Sequence, residues 1–247
     1  MAETLALLLL AHVLADFVLQ PDRMAQAKAG GHPGWMLAHV AVVGAVTALL
    51  LGVQTAQAAA LVAGLTAAHL AIDGIKVALG ARLSAIFAFL ADQALHLASL
   101  VLVASLAPQL WAQGVWAPHA PLWLPAAATV IAGAILATRA GGFALGLLMR
   151  PWGEVGLDGL PGGGRIIGML ERGIIFLLIL AGEPGGIGFL IAAKSVLRFG
   201  AVKEESRLSE YVIIGTLASF GWAMLMAIGT VMVLSSLPPL GIPDLSP

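Results

Sequence analysis

Apolar runs long enough to cross a bilayer recur along this 247-residue chain, near 3-20, 35-53, 58-79, 84-107, 122-149, 165-183, 187-200 and 208-236. A helix needs about 20 apolar residues to cross the hydrocarbon core, with a range of roughly 17 to 25. Pro21, Gly30, Gly31, Pro33, Pro108, Pro118, Pro121, Pro151, Pro161 and Pro184 fall between the runs, where helix breakers belong. Only 10% of the residues are charged, against roughly 25% in soluble chains. The sequence therefore predicts an all-α, polytopic integral membrane protein of eight helical segments, forming one membrane-embedded domain over 1-247. The seventh segment is too short to span and reads as a short or re-entrant helix. The fifth holds Gly141 and Gly142, where a break is expected. Glu3 stands where a signal peptide would carry basic residues, so the first run reads as a retained span.

Charge sets an orientation. Arg23 and Lys28 follow the first span, Lys76 and Arg82 end the third, Arg150 and Arg165 flank the loop after the fifth, and Arg198, Lys203 and Arg207 lie between the seventh and eighth. The alternate connections 54-57, 108-121 and 184-186, and the tail after Leu237, carry no Lys or Arg. By the positive-inside rule both termini are expected on the periplasmic side of a bacterial inner membrane. Trp111, Trp116 and Trp123 then fall at the outer boundary, Trp35 and Trp152 at the inner one. A net charge of -1 without a basic run argues against nucleic acid as a partner. The absence of cysteine excludes disulfides and thiolate metal sites.

Against this apolar background, ionisable residues stand out. His12 and Asp16 are four apart in the first run, His69 and Asp73 repeat the spacing in the third, Asp92 and His96 carry it reversed in the fourth, and His39 lies in the second. Residues four apart share a helix face, one turn above the other. With the predicted topology all seven lie in the cytoplasmic half of the bilayer. Ionised groups are costly in lipid, so these side chains are expected to face the bundle interior and converge on one site. His12, Asp16, His39, His69, Asp73 and His96 are candidate ligands for a divalent metal, zinc or manganese by donor type. The same residues also suit a proton or ion pathway, and each pair suits a hydrogen bond that joins helices.

The second half, 122-236, has its own polar set. Arg139 lies in the fifth run, Glu171 and Arg172 in the sixth, and Lys194 and Arg198, four apart, in the seventh. The cations are candidates for holding a phosphate or carboxylate, and Asp92 and Glu171 are the candidate acid-base carboxylates. The loop Gly162, Gly163, Gly164, Arg165 precedes a helix start and lacks the ending of a phosphate loop.

These residues carry a resemblance. The opening A-H-x-x-x-D-F-x-x-Q (His12, Asp16, Phe17, Gln20), the H-x-x-x-D-x-x-K of the third span (His69, Asp73, Lys76) and the D-Q-x-x-H of the fourth (Asp92, Gln93, His96) resemble a bacterial inner-membrane family known as a domain of unknown function. In the second half Glu171-Arg172, then Lys194, Ser195, Arg198 and Phe199, then Glu210, Tyr211, Gly215, Thr216 and Ser219 extend the likeness over nearly the whole chain. His12, Asp16, His69 and Asp73 are also similar, more weakly, to the membrane-bound metal-dependent hydrolases, which implies metal-assisted hydrolysis of a membrane substrate. The sequence thus reads as an inner-membrane enzyme with a metal-assisted hydrolase or transferase site open to the cytoplasmic leaflet. Arg139, Arg172, Lys194 and Arg198 would then hold an anionic lipid-like or phosphate-bearing substrate. The alternatives are a proton- or ion-coupled transporter built on the same cluster, and a non-enzymatic membrane subunit.

Overall fold

The computed structural model describes residues 1–80, 82–153, 160–198 and 206–240. Among these, the regular elements are helices: α1 (Ala2–Val13), α2 (Asp22–Ala29), α3 (Pro33–Leu51), α4 (Ala56–Leu79), α5 (Ala85–Leu106), α6 (Leu124–Ile135), α7 (Gly141–Met149), α8 (Gly163–Leu180), α9 (Gly186–Arg198) and α10 (Ser206–Leu234). A π turn, Leu14–Val18, extends α1, and a second, Leu136–Ala140, joins α6 to α7.

Local chemistry sets several of the boundaries. Thr55 precedes α4 and its side chain accepts from Ala58 N at 3.1 Å, while Ser84 does the same for α5 from Phe87 N at 3.4 Å. Each satisfies a backbone donor that a helix start leaves free. Pro33 occupies the first turn of α3, where its missing N–H costs nothing. Gly52 ends α3 at φ +63°, and an added Cβ there would lie 2.6 Å from Trp116. Glycine answers both the left-handed conformation and the close approach. The same indole donates to Leu49 O at 2.6 Å, which ties the 107–123 segment to the end of α3.

Among the described residues, five helices are long and apolar enough to cross a membrane: α3, α4, α5, the α6–α7 helix (Leu124–Trp152) and Ser209–Leu234 of α10. Ala2–Val18 turns by 89° into α2, and the pair makes a sixth span if counted as one. The expected count of eight helical segments is not matched, because α8 carries Arg165, Glu171 and Arg172 within its 18 residues. The 13-residue α9 is the short seventh segment expected from the sequence. The helix expected to break at Gly141 instead runs on in right-handed helical conformation, widened by the π turn just before it.

The chain divides into two compact units, one of Met1–Ala132 together with the chain from Met232, the other Gly133–Val231. In the first, α1 packs on α3 and α5, and α4 closes the ring against α3 and α5. Each outer helix of the ring buries one stripe. In α3 it is His39, Val43, Thr47 and Leu51; in α4 Ala58, Val62, Leu65, His69 and Asp73; in α5 Phe89, Asp92, His96, Leu100 and Ala104. Steps of three and four residues are the signature of one helix face. Leu37, Leu49, Phe87, Leu95, Leu102 and Leu106 lie on the exposed side. Polar groups inside and leucines outside is the arrangement a hydrocarbon solvent favours. Trp35, Trp116, Trp123 and Trp152 are about half exposed, whereas Trp111, expected at the boundary, is buried. Its backbone N–H donates to Thr4 Oγ1, which in turn donates to Pro108 O.

In the second unit α8 packs on the π turn, α7 and α9. Ile175, Ile187, Phe220 and Ala223 form its buried core.

Candidate metal centre

The buried stripes of α3, α4 and α5 meet the Asp16 end of α1, and seven ionisable side chains converge there. The His12 and His69 ring centroids are 5.8 Å apart, those of His12 and His96 5.0 Å, and the His69 and His96 rings stack at 4.0 Å. His12, His39, His69, Asp73, Asp92 and His96 are each at most 5% exposed. The Asp16 side chain is 7% exposed. It sits on the π turn, a feature often found at functional sites, and its Oδ1 remains 3.9 Å from His12 Nδ1.

Three donor groups emerge. Asp16 Oδ1 lies 3.4 Å from His39 Nε2 and 3.6 Å from His69 Nε2, and those two nitrogens face each other at 3.0 Å. Asp73, Asp92 and His96 form a second group, and His12, His69 and His96 a third. Bonds of about 2.0–2.2 Å to one tetrahedral ion place ligand atoms roughly 3.3–3.5 Å apart. In the first group the carboxylate oxygen stands at about that spacing from both nitrogens, while the nitrogens themselves are at hydrogen-bond distance. Asp16 Oδ1, His39 Nδ1, Asp92 Oδ1 and both ring nitrogens of His96 are buried without a hydrogen-bond partner. Buried polar groups are otherwise satisfied in folded proteins. The cluster can therefore coordinate a divalent metal ion.

Two lysines and two glutamines surround the acids. Lys28 Nζ donates to Asp73 Oδ2 at 2.9 Å, and Lys76 Nζ to Asp92 Oδ2 at 2.8 Å. Gln93 Nε2 donates to the same Asp92 oxygen at 3.1 Å, and its Oε1 lies 3.4 Å from His12 Nε2. The Gln20 amide, turned with its oxygen toward Lys28, accepts from Nζ at 3.0 Å and donates to Asp16 O at 3.2 Å. Such partners orient ligands and tune their basicity. Sequence spacing places Lys76 beside Asp73, one turn away, but the structure pairs it with Asp92 on the next helix. Lys28 has no sequence signal linking it to Asp73, 45 residues on. It arrives because α2 folds back at 89° after Val18.

The second unit resolves the other candidates differently. A π turn leaves carbonyls without their usual helical partners. Arg172 supplies donors to them: Nε to Ala137 O at 3.0 Å and Thr138 O at 3.3 Å, and Nη2 to Thr138 O at 2.9 Å, with Nη1 reaching Ser219 Oγ at 3.2 Å. Trp222 Nε1 takes Leu136 O at 2.9 Å. A Cβ at Gly141 would lie 2.7 Å from Trp222 and 2.9 Å from Arg172. Glu171 accepts from Lys194 Nζ at 2.7 Å, with the ammonium 5.3 Å from the Phe220 ring centre. So Arg172 and Lys194, read from sequence as anion ligands, bind groups of the second unit itself. Glu171, read as an acid-base group, is one of them. Arg139 is exposed, and the side chain of Arg198 lies outside the described residues.

Residues 4–118, just under half of the chain, match the family described as protein of unknown function (DUF3307). The match contains all seven residues of the cluster together with Lys28, Lys76, Gln20 and Gln93. It stops before α6, so the Glu171-Arg172 and Lys194–Phe199 motifs, which sequence reading assigned to the same family, lie outside it. No curated protein and no solved structure matches the chain.

Proposed function

We propose that the protein is a membrane enzyme that holds a divalent ion at Asp16, His39 and His69 and uses it for hydrolysis or group transfer on an anionic, lipid-like substrate. One observation carries this reading: an unpartnered, buried carboxylate oxygen lies within 3.6 Å of two imidazole nitrogens that are themselves 3.0 Å apart. Three protein ligands leave a coordination position open, the pattern of catalytic rather than structural zinc. When bound there, such an ion would supply a water nucleophile at neutral pH, since a catalytic metal lowers the pKa of its water to about 7. The Lys76 side chain, 35% exposed beside Asp92, offers a cation to an anionic headgroup. Lys28, 12% exposed, orients Asp73.

The test is elemental analysis of protein purified without chelator or histidine tag, followed by hydrolysis assays with p-nitrophenyl phosphate and a fluorescent phosphatidic acid in micelles. A bound divalent ion and metal-dependent product release are expected. Metal content near zero, with no recovery on adding zinc or manganese, overturns the reading in favour of a proton pathway or a structural network. A stoichiometric ion without turnover of either probe retains the metal and rejects this substrate class.

The placement is part of the same proposal. Lys and Arg crowd alternate connections, so the cluster opens to the cytoplasmic leaflet and both termini are periplasmic. Alkaline phosphatase fused after Pro247 should be active and a green fluorescent protein fused there dark. The reverse result inverts the orientation.

A further inference from the structure

We infer that the cluster is a two-ion centre, in which a second divalent cation is held by Asp73, Asp92 and His96 and Asp73 bridges it to the first. The inference rests on the metal reading above and concerns the donors that reading leaves unused. Asp92 and His96 are 4% and 1% exposed. Asp92 Oδ2 is taken by Lys76 and Gln93, so Oδ1 is left without a partner, 3.5 Å from the unpartnered His96 Nε2. Asp73 Oδ2 is taken by Lys28, and Oδ1 lies 3.8 Å from the same nitrogen. A carboxylate bound to imidazolium closes to about 2.7–2.9 Å. Separations of 3.5 and 3.8 Å are too long for such a bond and stand nearer the roughly 3.3–3.5 Å between donor atoms of one ion.

Asp73 also serves the first group, because its Oδ2 lies 3.7 Å from His39 Nε2 and 3.5 Å from His69 Nε2. Its two oxygens therefore address two donor sets, the arrangement of a bridging carboxylate, with Oδ2 shared between Lys28 and the first ion, whose open position would then be its fifth. Two-metal sites hold their ions about 3.5–4 Å apart, a spacing one carboxylate spans. In this arrangement Asp92 is a ligand rather than the proton acceptor read from the sequence, Lys76 acts on its outer oxygen, and Lys28 acts on the Asp73 oxygen that faces the first donor set.

Charge adds a condition. Three aspartates and two lysines leave one excess negative charge with neutral imidazoles, which one divalent ion already reverses. A second ion therefore enters with an anion, since uncompensated charge is costly in a buried site. The shared chemistry is that of a phosphate group.

The experiment titrates manganese into metal-stripped, detergent-purified full-length protein with and without inorganic phosphate. It reads stoichiometry by equilibrium dialysis and spin coupling by electron paramagnetic resonance. With phosphate, two ions per chain and a coupled-pair spectrum are expected. His96→Ala and the shape-conserving Asp92→Asn should each leave one ion and an uncoupled spectrum, with an unchanged elution volume in size-exclusion chromatography showing that they fold. One ion in the wild type, or two in both variants, overturns the second site and leaves the first intact. No ion at all removes both.

Discussion

Asp16→Ala is expected to empty the first donor set and abolish metal-dependent turnover. Asp16 Oδ1 faces His39 and His69 at 3.4 and 3.6 Å and has no hydrogen-bond partner, whereas Asp73 Oδ2, which faces the same nitrogens, is already held by Lys28. Removing Asp16 leaves two neutral imidazoles and an Asp73 oxygen shared with Lys28 to hold a doubly charged ion in a site with little access to water. Breaking a buried charge pair costs about 3–5 kcal/mol, a hundredfold to several-thousandfold loss of affinity. Asp16→Asn keeps the shape but not the charge, and should bind metal more weakly than wild type yet better than the alanine variant. Competition for manganese against a fluorescent chelator measures all three. If Asp16→Ala binds within threefold of wild type, the ion sits elsewhere and the assignment of the first site fails. A purely structural network makes a different demand: Asp16→Ala would then lower the melting temperature whether or not metal is present.

Arg172→Leu is expected to produce the largest stability loss in the second unit. The guanidinium donates to Ala137 O, Thr138 O and Ser219 Oγ and is 4% exposed. Leucine fills much of the volume but removes the side-chain donors to Ala137 O, Thr138 O and Ser219 Oγ. Each neutral buried acceptor that loses its partner costs about 1–3 kcal/mol. For a chain of this length each kcal/mol shifts the midpoint by roughly 2–4 °C, so a fall on the order of 10 °C is expected. Arg172→Lys keeps one cationic donor and should recover part of it. Thermal melts in micelles followed by circular dichroism test this. An unchanged melting point with weakened anion binding would instead return Arg172 to the anion-binding role that its sequence context suggested.

Much of this was legible before any fold was known. Bilayer crossing depends on the length and polarity of single runs, and these are properties of local sequence. The i, i+4 pairs His69–Asp73 and Asp92–His96 lie on one helix face by geometry alone, and the burial of that face follows from the cost of charge in lipid. Their convergence at one level of the bundle then required only helix lengths and alternating helix directions. The count of spans was less legible, because α8 reads as apolar at its end but carries three charges within its 18 residues.

What only the tertiary structure decided is which atoms meet. Long side chains reach across helices, so Lys76 found Asp92 on α5 and passed over Asp73 one turn away. Lys28 reached Asp73 through an 89° bend that no periodicity encodes. Arg172 looked like a ligand for an outside anion until a π turn, invisible in the hydropathy pattern, presented carbonyls for it to bind. Periodicity specifies the face of a helix. The rotation of one helix against another, and the turns that interrupt them, decide which oxygen of each carboxylate a lysine takes and which is left facing a histidine.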